Sequence, residues 1–405
     1  VIGGVEVVMD AHARIFLRMG YPVTMIAGQG SEDALPPETG LAIMPTLDTQ
    51  NPEILAAGAR LEEGQVPANF TNLTNQLTKS LAPLLRQFDN VIVHNVFTKH
   101  FNLPLTAALF DLLDDAVIRH CIAWHHDFTW TSPRSRSKVH AGYPWDLLRT
   151  FRPDVTHVTI SQDRKEELVG LYQCPPEMIQ VIYNGVDAAE MFGLTPVGWD
   201  LTQRLELLAA DLIMLMPVRV TKAKNIEFAL EVVAALKEQG LKVKLVLTGP
   251  PDPHDEKSMT YFQALQKQRD DLGLNAEMHF IFESGPDPEH PFRIDLPVVA
   301  DLYRVADLMF MPSHQEGFGM PVLEAGLLGL PVVASRAVPA AAEIGGADVH
   351  RFSLEDPPQQ LAQHILSWAE NDKSARFARR TRQNFTWQAI FNRQIEPLLK
   401  GNNSR

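Results

Sequence analysis

Two carboxylates, Glu316 and Glu324, stand eight positions apart in Glu316-Gly-Phe-Gly-Met-Pro-Val-Leu-Glu324, with two glycines and a proline between them. Upstream, Ala306-Asp-Leu-Met-Phe-Met-Pro312 reads as a short buried strand and Ser313-His314-Gln315 as the loop that leaves it. Pro321 suits the first position of a helix, where no N–H is needed. The spacing predicts a helix from Val322 to Leu328, stopped by Gly329, with Glu324 in its first turn. Free backbone N–H groups and the positive end of the dipole then face Gly317, Phe318, Gly319 and Met320, which makes an anion site. The glycines admit a close approach to the backbone. A phosphate that also carries hydroxyl groups suits such a set, with N–H groups for the phosphate and carboxylates for the hydroxyls, as in a sugar nucleotide. Taken singly, Glu324 is as readily an acid complementing the helix dipole, and the glycines are ordinary turn residues. The combination is far more specific than its parts.

Cations stand at a second strand exit. Arg219 closes an apolar run, and Lys224 follows it in Arg219-Val-Thr-Lys-Ala-Lys224-Asn225. Positive charge beside a helix amino end does not help the dipole, so a bound anion accounts for it better. Lys222 competes for the role, and each of the three also reads as a solvated loop charge. His125 follows the strand Cys121–Trp124 in Trp124-His-His-Asp-Phe128, with His126 as the competing candidate. A lone histidine there is more often structural. His94 occupies a similar strand exit, and Gly3-Gly4 opens a helix or a flexible end.

The elements that must position these groups alternate short apolar runs with longer amphipathic ones, the pattern of α/β folds with parallel sheets. Strands are expected at 22–27, 41–45, 91–94, 119–124, 155–160 and 181–183, with helices at 5–19, 71–87, 103–113 and 161–172. Residues 188–204 hold Pro196, two glycines and little periodicity, and read as a linker. Beyond it, strands at 212–218, 243–248, 278–282, 306–312 and 331–335 alternate with helices at 225–239, 259–272 and 298–305. A closing helix spans 387–399. Two halves of this kind place a ligand in the crevice at the strand ends.

At 405 residues the chain is long for one domain. Its net charge of −13, from 36 basic and 49 acidic side chains, argues against a nucleic-acid binder. No run approaches the roughly 18 apolar residues of a membrane span. Cys121 and Cys174 give neither a disulfide framework nor zinc spacing, which points to a reduced, cytoplasmic setting. The basic stretch Arg134, Arg136, Lys138, Arg149 and Arg152 is interleaved with Tyr143 and Trp145 and opposed in sequence only by Asp146. It suits a phosphorylated acceptor, peripheral contact with an anionic membrane, or a plain solvated loop.

The glutamate segment resembles the donor-site signature of the retaining glycosyltransferases of family 4, whose GT-B architecture sets two Rossmann-like domains across a cleft. The resemblance covers nearly the whole chain. It implies an N-terminal acceptor domain at 1–190, a nucleotide-sugar domain at 205–383 and a terminal helix, 384–405, crossing back to the first domain. Family members carry a first β-strand just before the glycine pair, so the resemblance also implies a segment ahead of Val1. The implied reaction moves a hexose from a UDP-, GDP- or ADP-sugar to a hydroxyl acceptor such as a small sugar, a sugar phosphate or glycerate. No metal is implied at that step.

By the same resemblance Glu316 contacts the donor sugar, Glu324 the ribose, and the backbone from Gly317 to Pro321 the sugar and diphosphate. Arg219 and Lys224 neutralise the departing diphosphate. His125 touches the donor sugar, Asp127 and His94 lie on the acceptor side, and Gly3 and Gly4 approach the phosphates. A nucleobase contact is implied near Phe282 or Glu283. The base, the sugar, the acceptor and the oligomeric state stay open, since one architecture hosts many substrates. Two rival readings share the fold: a phosphorylase using inorganic phosphate, and a nucleotide-sugar-binding subunit without turnover.

Overall fold

The computed structural model describes residues 4–251, 256–287 and 290–401. The chain divides into two compact units, Val1–Gly185 with Trp387–Arg405, and Val186–Thr386. The first runs α1 (Gly4–Arg18), β1 (Thr24–Ala27), β2 (Gly40–Ile43), α2 (Pro52–Glu62), α3 (Phe70–Leu85), β3 (Val91–His94), α4 (Leu103–Asp114), β4 (Cys121–His125), β5 (Val155–Thr159), α5 (Gln162–Tyr172) and β6 (Ile179–Val181). Its strands form a parallel sheet in the order β3-β4-β5-β6 and a separate parallel pair, β1-β2. β4 is buried at every residue, as a strand covered on both faces must be. Three of the unit's helices start at capping side chains: Asn51 accepts from Glu53 N, Asn102 from Leu105 N and Ser161 from Arg164 N. α3 buries Phe70, Leu73, Leu77, Leu81 and Leu85, a stripe at helical spacing.

The second unit runs α6 (Ala188–Phe192), α7 (Pro196–Arg204), β7 (Leu212–Met216), α8 (Ile226–Glu238), β8 (Val243–Leu247), α9 (Glu256–Asp271), β9 (Met278–Phe280), α10 (Leu296–Val305), β10 (Leu308–Met311), α11 (Met320–Leu327), β11 (Val332–Ser335), α12 (Pro339–Glu343), β12 (His350–Phe352), α13 (Pro358–Asn371) and α14 (Lys373–Asn384). Among the described residues its six strands are all parallel, in the order β12-β11-β10-β7-β8-β9. β7 and β10 are buried at every position. The chain closes with α15 (Trp387–Ile390), a wide turn at Phe391–Ile395 and α16 (Glu396–Leu399). Trp387, Ile390, Phe391 and Ile395 pack with Val8, Ile15 and Phe16 of the first unit.

Residues 188–204 are not a linker. Asp187 and Thr195 cap two short helices, and Pro196 starts the second. Asp301 of α10, 1% exposed, accepts from Thr195 N at 2.9 Å and Thr195 Oγ1 at 2.6 Å. It lies so close to Gly198 that no Cβ fits there. Two short helices carry too little periodicity to be read, but caps and a buried carboxylate fix them. Four of the five cations of the basic stretch are likewise engaged within the unit, and Arg134 is exposed. Arg136 and Arg149 lie over the Trp130 ring at 4.4 and 4.2 Å. Lys138 pairs with Glu62, and Arg152 with Asp114 and Asp154. Glu62 and Asp114, remote in sequence, and Asp154 beside Arg152 answer charges that Asp146 alone was expected to oppose. Among the described residues no helix is long and apolar enough to cross a membrane.

Candidate functional site

β7 and β10 are neighbours in the six-stranded sheet, yet the chain leaves them in opposite directions: β8 and β9 lie beyond β7, β11 and β12 beyond β10. A reversal of this kind opens a crevice outside the carboxyl ends of the two strands. The loops leaving β7 and β10 carry the predicted charges. They are tied by His314 N, which donates to Ala223 O at 2.8 Å. Lys224 Nζ donates to Glu316 Oε1 at 2.6 Å, and Ser313 Oγ donates to the same oxygen at 2.9 Å. The lysine side chain is 20% exposed and the glutamate 10%, so the pair is shielded but not sealed. Ser313 is itself fixed, because Ser335 Oγ of β11 donates to its carbonyl at 2.6 Å. Arg219 and Lys222 are exposed and line a hollow of about 780 Å³ walled by Tyr261. Gly249 N donates to Val218 O at 3.0 Å, and a Cβ on Gly249 would come within 2.5 Å of that carbonyl. Only glycine lets the Arg219 loop run there.

Gly319, at φ +102°, turns the loop after β10 directly into α11. The helix therefore starts at Met320, two residues earlier than expected, and Pro321 is its second residue. Glu324 falls in the second turn and is exposed. The dipole acts within the first turn and no longer accounts for it. Tyr303 OH, from α10, donates to its Oε2 at 2.6 Å. Burial, and then the bond to Glu324, push the Tyr303 hydroxyl up and keep it a donor. Gly317, Phe318 and Met320 are exposed at the head of the helix. Phe282 is instead a core residue, edge-on to Phe262, and Glu283 is held by Arg269 and Gln266. The nucleobase contact is expected near these two residues; β9 ends at Phe280, and both side chains turn back onto α9.

In the first unit, β4 extends through His125 and takes its ring inside. His125 is fully buried, with Nε2 3.0 Å from His157 Nδ1 and Nδ1 3.4 Å from Thr98 Oγ1. His157 Nε2 lies 3.0 Å from the Arg152 carbonyl. A carbonyl only accepts, so His157 donates from Nε2 and accepts from His125 Nε2–H. Burial, first of all, holds His125 well below the usual histidine range, so this relay is neutral. The His125 ring, expected at the donor sugar, is engaged within the unit by His157 and Thr98. His126 is buried too, its Nε2 3.2 Å from His94 Nδ1. Asn95, at φ +62°, accepts from His126 N at 2.7 Å and Asp127 N at 3.1 Å. The open group of the segment is Asp127, 52% exposed and 3.6 Å from Arg164. Gly4 begins α1 with free space around it, and Gly3 lies outside the described residues.

Ser313, Tyr303 and Asn95 escape a reading of the sequence. Ser313 had a signal, its place in the loop before Glu316, but Tyr303 reaches Glu324 only because α10 and α11 are brought side by side.

Two family models match the chain in succession, Glycosyltransferase Family 4 over residues 2–190 and Glycosyl transferases group 1 over residues 200–384. The chain is similar to mannosylglucosylglycerate synthase of Petrotoga mobilis, 26% identical over 278 residues, 62% of this chain and 60% of that protein. It is similar to the putative glycosyltransferase EpsF of Bacillus subtilis, 26% identical over 84% of this chain and 79% of that one. D-inositol 3-phosphate glycosyltransferase of Saccharomonospora viridis is 29% identical over 55% of this chain and 50% of its own. The chain thus spans about 60% of the length of the synthase and half that of the inositol phosphate enzyme. Among solved structures, Anabaena Alr3699/HepE in complex with UDP and glucose aligns over 98% of this chain and 96% of its own, at 19% identity and a TM-score of 0.36. With both halves matched in order, the chain belongs to the group 1, family 4 glycosyltransferases of GT-B fold.

Proposed function

We propose that the protein transfers a hexose, with retention of anomeric configuration, from a nucleotide-sugar donor to a hydroxyl of a small acceptor. The observation that carries this reading is the Lys224–Glu316–Ser313 cluster at the reversal of the six-stranded sheet, beside the amino end of α11. A diphosphate is met there by fixed cations and by backbone N–H groups, which stabilise charge developing on the leaving oxygen. Lys224 and Arg219 take the phosphates. Glu316, with both its donors on Oε1, turns its second oxygen to a sugar hydroxyl and orients the ring rather than attacking it. Glu324, braced by Tyr303, accepts from the ribose hydroxyls. In the transfer itself the acceptor hydroxyl approaches on the face that the diphosphate leaves, and the departing oxygen helps take its proton. The two carboxylates are not a glycosidase pair, since they serve different parts of one ligand. Asp127 is the acceptor-side group, exposed where His94 and His126 are not. The names of two relatives, a mannosylglucosylglycerate synthase and an inositol 3-phosphate glycosyltransferase, support a small acceptor bearing several hydroxyls.

The test is thermal stabilisation by UDP, GDP, ADP and inorganic phosphate at matched concentrations, since a ligand of the native state raises the midpoint with its affinity. One nucleoside diphosphate should shift the second unit's transition, and the anomeric proton coupling of the product then reads retention. A shift with phosphate alone would replace this reading by a phosphorylase. Binding without turnover on any hydroxyl acceptor would leave a sugar-nucleotide-binding subunit.

A further inference from the structure

The twelve residues of α14, Lys373-Ser-Ala-Arg-Phe-Ala-Arg-Arg-Thr-Arg-Gln-Asn384, hold five cations and no acid, in a chain whose net charge is −13. One cation faces inward. Arg382 is buried and donates to both oxygens of Asp307, at 2.8 and 3.0 Å, and to Ala210 O at 3.1 Å. Asp372 caps the helix by accepting from Ala375 N at 2.8 Å. These contacts fix α14 on the second unit without help from its other four cations. Lys373, Arg376 and Arg380 are exposed, Arg379 is half-buried, and among the described residues none of the four pairs with a carboxylate. Lys373, Arg376, Phe377 and Arg380 share one face, at steps of three and four residues. Like charges at those spacings weaken a helix, and Lys373 and Arg376 stand near its amino end, where the dipole disfavours them. The basic stretch of the first unit differs, since four of its five cations are stacked or paired.

Apolar side chains protrude around the same helix. Phe377 is 62% exposed, with the Arg380 guanidinium 5.5 Å from its ring centre. Ser374, Ala375 and Ala378 line a hollow of about 440 Å³ that Met191 and Leu328 line as well. Met191 is 72% exposed, and Leu327, next to Leu328, is 88% exposed. Among the described residues the four most exposed large apolar side chains include these three, the other being Leu296. Apolar residues scattered singly over a surface are ordinary, but a gathering of them marks an interaction site.

We propose that this face of the second unit docks on an anionic lipid surface, with the α14 cations among the headgroups and Phe377, Met191 and Leu327 reaching the acyl boundary. The charge complementarity is with many closely spaced anions, because the cations follow one another along an open helix face and frame no single ligand. A lipid interface meets both halves of the surface, anionic headgroups for the cations and hydrocarbon for the protruding apolar groups. Nucleic acid is the poorer match, since the net charge of −13 repels it. Docking of this kind is independent of the reaction performed at Glu316.

Flotation of the protein with vesicles tests this, using phosphatidylcholine alone and phosphatidylcholine mixed with phosphatidylglycerol. The protein should float with the mixed vesicles at low salt, and far less with phosphatidylcholine alone. Arg376→Gln combined with Arg380→Gln should weaken partitioning about 25-fold, at about 5-fold for each cation near the surface. Phe377→Ser combined with Leu327→Ser should weaken it about 10-fold or more at unchanged charge. All four side chains are exposed, so both variants should keep the thermal midpoint of the parent protein. Arg134→Gln, in the first unit, should leave partitioning unchanged. Equal flotation with both vesicle types, flotation with neither, or flotation that the α14 variant leaves intact would overturn the proposal. An equal loss from Arg134→Gln would do the same. So would self-association without vesicles that Arg376→Gln with Arg380→Gln abolishes, because the face then belongs to a second copy.

Discussion

Replacing Glu316 by glutamine should make the protein bind a nucleoside diphosphate more tightly while it turns over less. Without a donor, the Lys224 ammonium is held by Glu316 at 2.6 Å, and a diphosphate must draw it away from that carboxylate. Exposed ion pairs are worth about 0–1 kcal/mol, and breaking a buried one costs about 3–5. With side chains 20% and 10% exposed, this pair lies between the limits, and about 1–2 kcal/mol is a fair value for what the anion must overcome. At about 1.4 kcal/mol per decade, Glu316→Gln should lower the Kd of the diphosphate about 5- to 30-fold. The amide keeps the bond from Ser313 but no longer competes for the lysine. Turnover should fall about 100-fold or more, as for other groups that set the transition-state geometry. Titration calorimetry with the diphosphate found in the thermal screen reads the first quantity, and initial rates the second. A Kd that is unchanged or weaker would refute the reasoning, because it would mean that Lys224 does not move from Glu316 to the phosphates. Lys224→Met supplies the opposite sign, with weaker binding and slower transfer together.

The first unit should be the acid-sensitive one. Burial holds His12 down to about 3 and His157 to about 4, with His94 and His125 also well below the ordinary value near 6.5. Folded histidines with depressed values contribute fully above about pH 6.5. As pH falls from there towards about 4 the unfolded chain binds protons that the native one refuses, at up to about 1.4 kcal/mol per pH unit for each group. In the second unit His279, lowered to about 4, is the counterpart, so scanning calorimetry should show the first transition moving down further. Gly319→Ala puts a Cβ within 2.7 Å of Val338 Cγ1 at φ +102°, and should cost about 1–3 kcal/mol in denaturant unfolding and weaken diphosphate binding. Asp301→Ala strands Thr195 and Arg304 and should cost about 3 kcal/mol, with the 188–204 helices losing exchange protection first. Tyr303→Phe should lower kcat/KM about 5- to 10-fold for a ribose nucleotide donor, and less for a 2′-deoxyribose analogue.

Much of this was legible along the chain. Strands such as Leu308–Met311 and Leu212–Met216 are unbroken apolar runs, and a parallel sheet buried on both faces permits little else. Glu316, Gly319 and Glu324 are close in sequence and take their places through one turn and one helix, so local chemistry alone groups them. Lys224 was nameable for the same reason, since it stands just past an apolar run and just before a helix.

What the sequence could not decide is which side of a boundary a side chain faces and what answers it from afar. His125 and Asp127 differ by two positions, yet one is sealed against His157 and the other is open, because β4 runs one residue further than its apolar run. Tyr303 meets Glu324, Asp301 holds Thr195, and Glu62 answers Lys138 across separations that no period records. Local pattern determines which elements form and which residues end them. The burial of charge and the pairing of hydrogen-bonding groups are settled only when distant elements pack, because the cost of an unpaired buried group is set by what lies beside it in space.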